Sequence, residues 1–83
     1  MQIRFNKKFV KRLNSSSSLV RRNFEDNLVI FISNRFHPLL NNHPLNGKYT
    51  GYRSINITGD WRAIFKDDGK AVVFITLGKH SQL

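Results

Sequence analysis

His43, Asp60 and His80 are the residues of this chain best suited to moving protons or supporting their movement. Histidine ordinarily titrates near neutrality, so it can serve as base or acid without a large perturbation. Close to these three in the chain lie Lys48, Arg53, Asn56, Arg62 and Lys79, all able to bind phosphate oxygens. An arginine fork can hold two such oxygens at once. This set suits cleavage of RNA without a metal. The 2′-hydroxyl attacks its own phosphate in line, a base takes its proton, an acid protonates the leaving oxygen, and cations stabilise the phosphorane. Other chemistries leave no signature: there is no P-loop, GxGxxG, HExxH or nucleophile elbow. Without cysteine there is no disulfide framework and no thiolate metal site. Asp67 and Asp68 precede Gly69 and read as a hairpin turn rather than a metal site, so neither metal nor cofactor is expected. His37, at the expected end of a helix, is accounted for by packing or by a favourable place near the helix dipole.

The elements that position these residues follow from hydrophobic spacing. Gln2 to Phe5 alternates and predicts a strand. Asn6 is a suitable N-cap for a short amphipathic helix over Lys7 to Leu13, with Phe9, Val10 and Leu13 inward and Lys7, Lys8, Lys11 and Arg12 outward. The four serines Ser15 to Ser18 break the pattern, and Ser17 or Ser18 can cap the next helix. That helix is expected from about Ser18 to Phe36, with an apolar stripe of Val20, Phe24, Leu28, Phe31 and Ile32 and an i,i+4 pair between Arg21 and Glu25. Pro38 ends it. His37 to Tyr52 is rich in Asn, Pro and Gly and reads as a loop, with Gly47 and Gly51 as turn positions. Three strands follow: Arg53 to Thr58, Trp61 to Lys66 and Ala71 to Leu77, separated by turns at Gly59–Asp60 and Asp67–Gly69. The last strand is nearly all apolar, which predicts a central place, and Gly78 ends it. The order β-α-α-β-β-β gives an α+β class, with an antiparallel-type sheet covered on one face by a helical hairpin.

The chain has 83 residues, the size of one domain over 1–83. Its net charge of +9 implies a polyanion or an acidic protein as partner. No apolar run approaches the ~20 residues needed to span a bilayer. The start, MQIRFNKKF, lacks the apolar core of a signal peptide, so a cytoplasmic protein without a membrane partner is expected.

The segment HPLNGKYTGYR, then TGDW, then a strand, a hairpin, another strand and LGKHSQL resembles the second half of RelE-superfamily toxins, closest to the YafQ branch. The resemblance in motif covers His43 to Leu83; the first half agrees in organisation. It implies a RelE-like fold and a toxin of a type II toxin–antitoxin pair that cuts mRNA as a ribosome-dependent endoribonuclease. It implies mRNA, the ribosome and a cognate acidic RelB/DinJ-like antitoxin as partners. It places His43 in the active-site loop, Asp60 in the turn beside the catalytic groove and His80 at an acid–base position after the last strand. Trp61 would be structural or groove-lining. Lys48, Arg53 and Arg62 would hold phosphate, while Lys7, Lys8, Lys11 and Arg12 would grip ribosomal RNA backbone through sequence-independent contacts. The chain departs from the pattern in having Asn56 in place of a further histidine and Thr76 in place of an arginine. An aromatic commonly follows the leucine that is Leu83 here. Asn56 can hydrogen-bond but cannot shuttle a proton, and Thr76 supplies no charge.

Two other readings remain open. A ParE-like toxin acts by binding DNA gyrase and needs no proton-transfer residues. An inactive basic RNA-binding module would have the same surface without the chemistry.

Overall fold

The computed structural model describes residues 1–83. Strand β1 (Gln2–Phe5) leads into helices α1 (Lys7–Asn14) and α2 (Ser18–Ser33), followed by β2 (His43–Pro44), β3 (Arg53–Asn56), β4 (Trp61–Asp67) and β5 (Ala71–Lys79). Short 3-10 turns occupy Pro38–Leu40, Gly47–Tyr49 and His80–Gln82. The five strands form one sheet in the order β1-β5-β4-β3-β2. β1 runs parallel to β5, and the other neighbours are antiparallel. The expected α+β arrangement is thus present, with β5 inside the sheet as its apolar sequence predicts.

Both helices start where the caps predict. The Asn6 side chain accepts from the Phe9 N–H at 2.8 Å, and the Ser17 hydroxyl accepts from the Val20 N–H at 3.2 Å. The end of α2 differs from expectation. It stops at Ser33 rather than Phe36, because the Asn34 side chain accepts from the Phe36 N–H at 3.1 Å and offers the backbone a turn instead of another helical bond. Its apolar stripe is narrower too: Val20, Phe24 and Phe31 are buried, but Ile32 is 60% exposed. Arg21 does not pair with Glu25; it donates to the Ser16 and Asn14 carbonyls and closes the turn between the helices. His37 lies beyond the helix, where its Nδ1 accepts from the Leu39 N–H at 3.1 Å and starts the first 3-10 turn.

The core is aromatic. Phe74 of β5 has the rings of Phe5, Phe9, Phe24, Phe31 and Phe65 at centroid distances of 5.6, 5.5, 5.4, 5.7 and 5.3 Å. Ile55, Ala63, Val72 and Leu77 complete the sheet's inward face. β5 does not alternate throughout. Ile64 pairs with Thr76 but Phe65 pairs with Phe74, so Ile75 is an extra residue in a β-bulge. The bulge lets both Phe74 and Leu77 face the helices, and it turns Thr76 and Gly78 to the opposite face.

The β4–β5 hairpin is closed by its aspartates. Asp67 accepts from the Gly69 N–H at 2.9 Å, and Asp68 accepts from Lys70 and Ala71 at 2.9 and 2.8 Å. Gly69 has φ +90, which the Asp-Gly sequence accommodates. The Ala71 and Lys70 N–H groups hold the Asp68 carboxyl below its ordinary value of 3.8. This contribution to stability is therefore present above the ordinary carboxylate range and lost as pH falls through the depressed value. An NMR titration of the Asp68 carboxyl is expected to give a midpoint below 3.8. A midpoint at or above 3.8 would show that the turn does not favour the carboxylate.

Candidate active site

Strand pairing builds the floor of a site on the sheet face away from the helices. One cross-strand row runs His43–Ser54–Ile64–Thr76, and the next runs Asn56–Arg62–Gly78. Because Ile55, Ala63 and Phe65 point into the core, their neighbours Ser54, Arg62 and Ile64 point the other way. A cleft of about 350 Å³ opens over this face. His43, Ser54, Arg62, Ile64 and His80 line it together with Asn41, Leu45, Asn46, Tyr49 and Leu83.

The two histidines reach it from different elements. The segment read as a plain loop in fact contains β2, which pairs with the first two residues of β3 and thereby fixes His43 opposite Ser54. The His43 ring is oriented by the Asn41 carbonyl, 2.7 Å from Nδ1. A carbonyl can only accept, so Nδ1 carries the proton and donates, leaving Nε2 of the neutral ring as an acceptor. Asn41 has φ 47, a left-handed conformation that asparagine tolerates better than most residues. His80 opens the last 3-10 turn, and its N–H donates to the Asp60 carbonyl at 2.8 Å. Asp60 thus ties the β3–β4 turn to the turn that carries His80. Asp60 itself is exposed and does not line the cleft, so its carboxylate is not brought together with the two histidines.

The cations divide. Arg62 lines the cleft, but its guanidinium folds back onto the carbonyls of Thr58, Gly59 and Trp61 at 3.2, 3.1 and 3.2 Å. Arg53 lies outside the cleft lining; its Nε donates to Asn42 at 2.8 Å and its guanidinium sits 5.5 Å from the Phe36 ring centre. Lys48 packs over Tyr49 at 5.4 Å, near the cleft's lip. Lys79 ends β5 opposite Trp61 and is exposed. Lys7, Lys8, Lys11 and Arg12 belong to α1 and lie outside the cleft lining. Asn56 is half-buried beside Arg62, and its Oδ1 is a buried acceptor without a partner, as is the Thr76 hydroxyl. The chain has a single ion pair, Arg35–Asp67, and its other basic side chains are not ion-paired.

Asn41, Tyr49 and Ser54 were not legible as site residues. Ser54 enters through its pairing with His43, which depends on the two-residue strand β2. Asn41 enters through a left-handed backbone that sequence pattern does not reveal. No helix is long and apolar enough to cross a membrane.

This fold is that of RelE-like toxins of type II toxin–antitoxin systems. YafQ from E. coli strain BL21(DE3) superposes with a TM-score of 0.81 at 21% identity, over 98% of this chain and 94% of that one. A YoeB/ParE toxin from Agrobacterium tumefaciens gives 0.76 at 19% identity, over 96% and 99%. The E. coli DinJ–YafQ toxin–antitoxin complex gives 0.74 at 22% identity, over 99% and 94%. No curated protein matches by sequence. The family described as bacterial toxin of type II toxin–antitoxin system, YafQ, matches residues 1–83, and the chain belongs to it.

Proposed function

We propose that this toxin is a cytoplasmic, ribosome-dependent mRNA endoribonuclease that works by metal-independent transfer within the RNA. The observation that carries the proposal is the convergence of His43, His80 and Arg62 on one cleft from β2, the last turn and β4. The geometry suits His43 as the base, since its Nε2 is the free acceptor. It takes the proton of the 2′-hydroxyl, whose oxygen bonds to the adjacent phosphorus. The bond from phosphorus to the 5′-oxygen breaks, and protonated His80 delivers a proton to that oxygen. The products are a 2′,3′-cyclic phosphate and a 5′-hydroxyl. Arg62 exchanges its carbonyl partners for phosphate oxygens as negative charge builds. Asp60 supports His80 by fixing its backbone. Lys48, Arg53, Asn56 and Lys79 flank the strand, and the α1 lysines face ribosomal RNA backbone.

A basic surface with one internal ion pair also suits an acidic antitoxin, as the DinJ partner in the similar complexes suggests for this chain. Primer extension on mRNA with ribosomes is expected to reveal cuts within codons that are absent without ribosomes. Intact mRNA together with inhibited gyrase supercoiling would instead establish the ParE-like reading, which the tethered Arg62 guanidinium and the uncharged Thr76 favour.

A further inference from the structure

A second concavity of about 410 Å³ adjoins the cleft, lined by Lys11, Arg12, the serines Ser15 to Ser17, Trp61 and Gln82. No acidic residue lines it, and neither Lys11 nor Arg12 takes part in an ion pair. The last 3-10 turn is the partition between the two: His80 and Leu83 line the cleft, while Gln82 lines the groove. They meet over Gly78. A Cβ at that position would lie 3.4 Å from Arg12 Nη2, 3.4 Å from Leu83 Cδ2 and 3.5 Å from Gln82 Oε1. Gly78 pairs with Arg62, which lines the cleft. The missing side chain therefore leaves room for the Arg12 guanidinium on the groove side of the last turn.

We propose that this groove is a second subsite for the same single-stranded RNA, binding the backbone phosphate next to the one held in the cleft. Lys11 and Arg12 hold that phosphate, and the partly exposed Trp61 forms the apolar wall on which the attached base rests. The strand crosses the turn at Gly78, where Leu83 of the cleft and Arg12 and Gln82 of the groove come within 3.5 Å of one point. The inference rests on the reading of the cleft as an RNA site and assigns Arg12 and Lys11 to the substrate strand rather than to ribosomal RNA.

The test uses the full chain with 2′-O-methyl RNA, which cannot be cleaved by its own 2′-oxygen. A dinucleotide fills the cleft, and a tetranucleotide also reaches the groove. Trp61 is the only tryptophan, so its fluorescence reports on the groove directly. The tetranucleotide is expected to bind more tightly than the dinucleotide and to shift Trp61 emission. In the Lys11→Gln, Arg12→Gln variant both gains disappear, dinucleotide affinity stays unchanged, and the salt slope for the tetranucleotide falls by about 1. Equal tetranucleotide affinity in parent and variant, with Trp61 emission unmoved, overturns the inference while the bound dinucleotide leaves the cleft reading standing. Failure of both oligonucleotides to bind overturns this inference, and primer extension on ribosome-bound mRNA decides the cleft reading separately.

Discussion

Replacing His80 by alanine is expected to slow RNA cleavage by about 10²–10⁴-fold, the usual worth of one positioned acid or base. The side chain has no bond of its own within the protein, whereas its backbone N–H is held by the Asp60 carbonyl. The turn should therefore keep its place when the imidazole is removed. The His43→Ala, His80→Ala double variant is expected to abolish both cleavage and growth arrest. The measurement is the single-turnover rate on ribosome-bound mRNA, with thermal unfolding as a control. Full cleavage by the double variant would remove the catalytic assignment, since no other residue lining the cleft is a histidine or carboxylate.

The second large effect falls on stability. Phe74→Ala removes the ring around which Phe5, Phe9, Phe24, Phe31 and Phe65 pack. Losing a fully buried phenylalanine costs about 3–5 kcal/mol. A domain of this size has a stability of only roughly 5 kcal/mol, so the variant is expected to be largely unfolded. Urea denaturation followed by circular dichroism checks this, and a midpoint close to that of the parent would contradict it. Phe74 is critical because it joins four elements at once: β1, both helices and β4 all contribute a ring to its surroundings.

Much of this architecture is legible in the residues. Asn6 and Ser17 cap the helices they were expected to cap, and the Asp-Asp-Gly turn closes the hairpin it predicts. The family resemblance rests on motifs that the match over 1–83 supports. What was not legible has physical causes. The end of α2 depends on Asn34 competing for the Phe36 N–H, a choice made by one side chain. Ile32 has the spacing of a core residue but lies on the outward side of the helix, next to the fully buried Phe31. β2 is too short to alternate, so its pairing with β3 carries no pattern. The site was half visible. His43, Arg62 and His80 do meet in a cleft, but the spacing of Arg53 and Lys79 does not reveal that one leans on Phe36 and the other ends a strand outside the lining.

The extra residue at Ile75 separates two demands that a regular strand would have to meet together. Upstream of it, Val72 and Phe74 keep the rhythm that the core requires; downstream, Thr76 and Gly78 follow a rhythm shifted by one position. Thr76 and Gly78 can therefore serve the face away from the helices while Phe74 and Leu77 serve the core. A single-residue deletion at Ile75 would leave a regular strand with Phe74 and Leu77 still inward and Thr76 and Gly78 still outward. Regular pairing with Ile75 kept would instead exchange inside and outside from Thr76 to the end of the strand.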